Sequence, residues 1–210
     1  DETYAQRDKI IRRKTDFLKS TKQWVMSGPH FSLANPYFQT PRAVCDTNKA
    51  YDCIDLTSIN EDYLPRTNYE PESTEFLEKV PKVHWLDAGA NFSKYSNEYY
   101  RHINRRDVSS VSERTMIPAI LQKDVTHILT TFSTAFKDTK RMVSFSASCA
   151  SIPIDFFVKS TGKGHILKEI LDLIPIFENL SNIVQKAIFV RYLALNCLTK
   201  GYGELWSECW

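Results

Sequence analysis

Apolar pairs recur every seven residues near the N-terminus: Ile10 and Ile11, Phe17 and Leu18, Trp24 and Val25. This spacing lays a single apolar stripe along a cylinder and predicts a helix over residues 4–26, ended by Gly28-Pro29. Residues 30–70 change character. Asn35-Pro36, Thr40-Pro41, Asn48 and Leu64-Pro65 punctuate short β-forming runs such as residues 51–56, so short strands and ordered loops are expected. Residues 71–95 hold acidic and small residues and predict a loop or surface hairpin.

Further on, residues 114–121 (RTMIPAIL) and 126–132 (THILTTF) are β-branched apolar runs of strand length. In the first run Met116, Ile117, Ile120 and Leu121 are read as a buried strand, and Arg114 is expected to pair with a carboxylate. A Ser-rich apolar stretch follows, and residues 154–158 also read as a strand. Helical periodicity returns over 164–174 and 181–199 with Pro175 between, and Ile183, Ala187, Val190, Ala194 and Cys197 mark the expected buried face. The fold class is therefore α+β: a mostly antiparallel sheet flanked by helices, with a basic N-terminal helix and C-terminal helices. Expected boundaries are a connecting helix over 1–28, a central domain over 29–175, and a helical segment over 176–210.

With 42% hydrophobic and 25% charged residues the 210-residue chain is no disordered coat. A net charge of +2 excludes a uniformly basic nucleic-acid binder, but the charge is uneven. Between residues 5 and 25, Arg7, Lys9, Arg12, Arg13, Lys14, Lys19 and Lys22 face only Asp8 and Asp16. Phosphate attraction is a short-range sum over such a patch, although a solvated helix face accounts for it equally well. Five cysteines without a CxxC, and without histidines at zinc-ligand spacing, read as reduced thiols in a cytoplasmic protein; no metal site is expected. No run approaches the length of a membrane span. The start at Asp1 and the stop at Trp210 suggest a piece of a longer polypeptide.

No complete catalytic constellation is found. Residues 35–38 (NPYF) lack the second proline of an amine-methylating loop, and no glycine-rich turn precedes them; a turn leading into a strand is the better account. Residues 159–164 (KSTGKG) fail the phosphate-loop pattern twice. They remain a basic, hydroxyl-bearing loop, read as joining a strand to a helix whose first amides could hold a DNA phosphate. Asp52 and Asp55 have no following E-x-K, and five histidines are scattered. Basic and amide residues instead gather in three places: Arg66 and Asn68; Arg101, Asn104, Arg105 and Arg106; and Lys159, Ser160, Thr161 and Lys163. Arg reads guanine and Asn reads adenine in the major groove, while Lys and hydroxyls hold phosphates. These are the candidate DNA-binding residues, with Arg66, Asn68, Arg105 and Lys163 favoured.

The run at 112–121 (SERTMIPAIL) resembles a segment in the C-terminal half of large class I adenine-N6 DNA methylases. That group includes the fused restriction–methylation enzymes of types IIG and IIL and phage-defence methylases of BREX- and DISARM-like systems. Further matching segments follow in the family's order: 24–38 (WVMSGPHFSLANPYF), 40–42, 51–56 (YDCIDL), 62–69 (DYLPRTNY), 154–164 (IDFFVKSTGKG), 195–198 and 202–210. The resemblance implies a target-recognition region similar to type I specificity subunits. Such a region binds double-stranded DNA for a methylase domain upstream in the same polypeptide. It carries no cofactor itself, the parent enzyme using S-adenosylmethionine. The alternative is a structural module that docks other defence-system proteins through the 181–199 helix and the tail bearing Tyr202, Trp206 and Trp210.

Overall fold

The computed structural model describes residues 2–47, 49–73, 75–85, 93–177 and 180–210. The chain opens with a short helix α1 (Glu2–Arg7), then β1 (Ile11–Phe17) and β2 (Val25–Met26). A hairpin of β3 (Gln39–Pro41) and β4 (Tyr51–Cys53) precedes β5 (Arg66–Pro71), which returns to pair antiparallel with β1. One helical turn, α2 (Glu75–Glu78), leads to the small antiparallel pair β6 (Lys82–Val83) and β7 (Lys94–Tyr95). Strands β8 (Arg101–Arg105), β9 (Pro118–Leu121), β10 (Thr126–His127) and β11 (Thr131–Ala135) follow. Helices α3 (Thr139–Ala150), α4 (Ile152–Ser160), α5 (Lys168–Leu171), α6 (Asn182–Asn196) and α7 (Gly203–Cys209) complete the chain.

The central sheet has the order β11-β8-β9 and is antiparallel throughout; β2 and β10 form a separate parallel pair. The class is α+β, as the alternation of strand-length and helix-length runs predicts. Apolar residues from distant parts of the chain meet in one large cluster that includes Trp24, Phe31, Ile103, Ile120, Met142 and Leu193, and two smaller clusters form around Phe145 and Ile11. Helix α6 is fastened to the sheet by an amide clamp. The Asn196 side chain accepts from the Ile120 N–H (2.7 Å) and donates to the Ile120 carbonyl (3.2 Å), satisfying a backbone unit as another strand would.

Several expectations are corrected. The helix over 4–26 does not form beyond Arg7. Lys9 takes a left-handed φ of 54°, and the basic run continues as β1. The seven-residue recurrence arises because its apolar pairs sit at the two ends of β1 and at β2. Backbone pairing with β5 satisfies the amides a helix would have used. Residues 154–158 belong to helix α4, started by Ser151, whose hydroxyl accepts from the Ile154 N–H, and by Pro153 in the first turn. Only Lys168–Leu171 of the 164–174 segment is helical. Helix α6 forms as expected but buries Phe189, Tyr192, Leu193 and Asn196, leaving Ile183 82% exposed and Ala194 also exposed.

Of the 112–121 run only Pro118–Leu121 is a strand, and Ile117 is half-buried. Met116, Ile120 and Leu121 are buried, and Arg114 Nε lies 3.4 Å from Asp155. Asp155 also accepts from the Thr115 and Met116 N–H groups, both at 2.7 Å, and so ties this run to helix α4. Tyr37 of the NPYF turn is buried, its hydroxyl bonded to Thr199 (2.8 Å) and Gln122 (3.1 Å), and the turn runs into β3.

Candidate nucleic-acid interface

The β1–β5 pair is a two-stranded ribbon with four cations: Arg12, Arg13, Lys14 and Arg66. The three on β1 are exposed. The register holds one irregularity. Arg13 faces Tyr69 and Asp16 faces Thr67, so three steps along β1 match two along β5. This bulge inverts the facing of side chains beyond it. Ile11 is 3% exposed and points inward, whereas Phe17, six residues later, is 63% exposed. The Arg66 guanidinium lies 4.3 Å from the Phe17 ring centroid, an outward cation–aromatic stack at the ribbon's end.

Charges on the ribbon are tethered rather than free. Lys14 lies 2.9 Å from Asp16 and 3.5 Å from Glu70, and Arg12 pairs with Glu70. The Asp16 hydrogen bond, with Glu70 behind it, raises the Lys14 ammonium pKa above its ordinary value, and Lys14 lowers the Asp16 carboxyl pKa in turn. Arg13 donates to the Cys45 carbonyl at 2.7 Å.

A directed hydrogen-bond chain holds the ribbon to the body. Thr15 Oγ1 donates to Asn68 Oδ1 (3.0 Å), and Asn68 Nδ2 donates to the Tyr51 hydroxyl (2.8 Å). Tyr51 meets Ser27 Oγ (3.1 Å), Ser27 meets His30 Nδ1 (2.9 Å), and His30 Nε2 donates to the Arg66 carbonyl (3.2 Å). That carbonyl fixes the proton on Nε2. Burial pushes the His30 pKa down to about 4, so the ring is neutral and the chain stays intact at neutral pH.

The sequence-selected residues divide sharply. Asn68, Arg101 and Asn104 are buried at 6%, 3% and 0% exposure, so they hold the interior and not an open surface. Asn104 donates to the Arg105 and Ile166 carbonyls at 2.8 and 3.3 Å. Arg105 donates to the Phe31 carbonyl at 2.6 Å, and burial lowers its pKa. Arg66 and Arg106 are half-buried; Arg106 reaches the Leu129 carbonyl at 3.4 Å and Asp107 at 3.7 Å.

The 159–164 segment departs from its expected setting, since Lys159 and Ser160 end α4 and the rest follows it, instead of opening a helix after a strand. Ser160 and Thr161 hydroxyls donate to the Phe157 and Val158 carbonyls, both at 2.7 Å, and Lys159 donates to the carbonyls of Ser112 and Glu113. A helix C-terminus carries partial negative charge, the wrong sign for a phosphate. Ser160 and Lys163 stay exposed in this group, Lys163 beside Gly162 at a φ of 65°. Two of the three clusters do meet: Val108 N–H bonds the Gly164 carbonyl (3.1 Å), Ile166 N–H bonds the Arg106 carbonyl (2.8 Å), and His165 meets Asp107 (2.8 Å).

Sequence reasoning passed over Arg12, Arg13 and Lys14 as residue candidates, although their local charge was visible. Only the strand pairing shows them to be a ribbon. Among the described residues no group of three or more His, Cys, Asp or Glu could hold a metal ion, and no single helix is long and apolar enough to cross a membrane. Compared with protein-family models, with characterised proteins and with solved structures, the chain matches none of them.

Proposed function

We propose that this chain is the DNA target-recognition part of an adenine-specific DNA methyltransferase of the restriction–modification or phage-defence type, acting in the bacterial cytoplasm. The β1–β5 ribbon, with Arg12, Arg13 and Lys14 turned to solvent, carries this reading. A major groove admits a two-stranded ribbon as readily as a helix. In this reading the ribbon's cations meet phosphates and base edges, the Arg66–Phe17 stack abuts the backbone at one end, and Lys163 with Arg106 forms a second contact. Methyl transfer, with S-adenosylmethionine as donor, belongs to a catalytic domain elsewhere in the polypeptide. Such an enzyme flips its adenine and needs another surface to read the flanking bases.

The test is duplex binding by the chain as a function of salt. Replacing Arg12, Arg13 and Lys14 together by Gln should weaken binding at least tenfold and flatten the plot of log affinity against log salt by about 2 to 3, since each lost phosphate contact is worth about 0.9. Binding unchanged in both respects removes the ribbon from the interface.

A further inference from the structure

Among the described residues strand β11 is an open sheet edge, and its free side faces a groove of about 1250 Å³. The hydrogen-bond phase of the sheet shows which groups are free. Arg106 N–H bonds the Thr130 carbonyl, and the β8–β11 register pairs Asn104 with Phe132 and His102 with Thr134. Phe132 and Thr134 therefore bond inward to β8, while the N–H and C=O groups of Ser133 and Ala135 point away from it. These outward groups have no backbone partner among the described residues. The groove is mostly apolar, walled by side chains such as Val83, Trp85, Ile128 and Phe136. It exceeds the ordinary size of a small-molecule pocket, roughly 300–1000 Å³.

One charge lies beneath this wall. Arg101 on β8 is 3% exposed and has no carboxylate partner among the described residues. Its Nη2 donates to the Val125 carbonyl and its Nη1 to Ser133 Oγ at 3.4 Å, while Nε has no partner. His127 supplies no compensation. Its Nδ1 donates to the Ile128 carbonyl (3.1 Å) and its Nε2 accepts from Ser133 Oγ (2.8 Å), so the ring is neutral; burial and the Arg101 charge push its pKa down to about 4. Arg101 stands opposite Ala135 in the register, and β11 offers only the small residues Ser133 and Ala135 next to it on that face. A side chain from a strand beyond β11, about 10 Å from β8, can therefore reach over them toward the guanidinium, whose Nε side is shaped for a carboxylate.

From this arrangement we infer that the groove receives an extended peptide strand, which adds to β11 and places a Glu or Asp side chain against Arg101. Main-chain bonds at Ser133 and Ala135 supply affinity, and the single buried cation selects a single carboxylate. The occupant is a protein segment, and the site does not depend on the ribbon's binding to DNA.

The experiment titrates the chain with a short capped peptide of alternating valine and threonine bearing one central glutamate, beside the same peptide with glutamine. The glutamate peptide should bind at least tenfold more tightly, and the Ser133 and Ala135 amide protons should gain protection from exchange. Arg101→Gln should abolish the difference between the peptides. Should that variant fail to fold, Ala135→Pro serves. It removes only an outward N–H at an edge, where proline is tolerated, and should eliminate binding of both peptides. Equal affinity for the two peptides, protection elsewhere, or no binding at about 1 mM (about 4 kcal/mol) overturns the proposal. Concentration-dependent dimerisation lost in Ala135→Pro would also overturn it, assigning the edge to a second copy.

Discussion

The central sheet and the β1–β5 ribbon are both rich in arginine and asparagine, yet they use these residues in opposite ways. In β8 the sequence RHINR is almost wholly buried, and its polar atoms meet carbonyls and hydroxyls of the interior. In β1 the sequence IRRKTDF buries only Ile11 and presents its cations to solvent. Residue type therefore does not separate a buried structural cation from an exposed one. Position in a sheet does: β8 is central and covered by α3, whereas β1 is half of an exposed pair.

This contrast is most severely challenged at Asp155. Asp155→Ala leaves the Thr115 and Met116 amides and Arg114 without their acceptor, which should cost about 3–5 kcal/mol in urea unfolding. A loss below about 1 kcal/mol would show that the interior does not depend on such polar ties. Acid comes next. His30 and His102 are fully buried and neutral, with pKa values lowered by burial to about 4 and about 3. The unfolded chain takes up protons below about pH 6.5 that the folded chain refuses. Stability is therefore full above that pH and falls as the pH drops toward 4 and then 3, by about 2 kcal/mol per histidine at pH 5. A flat urea midpoint between pH 7 and pH 5 contradicts this.

Asn68→Ala should have a smaller effect, about 1–3 kcal/mol, because Tyr51 and Thr15 lose a buried partner. The same change should speed exchange of β1 amides more than those of β8, and equal acceleration would show that the ribbon and body are not separable. Smallest of all, Arg12→Gln and Lys14→Gln should leave the urea midpoint unchanged within error, since exposed ion pairs contribute little. A shift as large as that of Asn68→Ala would make the ribbon's charges structural and remove the distinction.

Sequence patterning reveals the buried run ending in β9 and helix α6, whose neighbours are apolar, and, from acidic and small residues, the surface pair β6–β7. It also anticipates the Arg114–carboxylate pair, because an arginine beside a buried run needs a counter-charge. It misreads β1, where seven-residue spacing mimics a helical stripe, and α4, whose β-branched and aromatic residues outweigh the Ser151–Pro153 start signal. Strand β8 escapes because a run of arginine, histidine and asparagine carries no apolar alternation; its partners, Val125, Ser146, Ile166 and Phe31, lie far off in sequence. The candidate site suffers for the same reason. Donors chosen by type include those already committed to distant carbonyls, while Arg12, Arg13 and Lys14 become a surface only after β5 returns to them.

The bulge in β1 gives the ribbon a property that substitution alone could not provide. Because one extra residue reverses the facing of everything beyond Arg13, deleting Lys14 or Thr15 would swing Phe17 inward and unseat Arg66, while leaving Ile11 where it is. Length variation at this point thus acts as a selector between two alternative outward faces encoded by nearly the same residues. One insertion or deletion there would change which side chains the ribbon presents to solvent, without remaking the body that supports it.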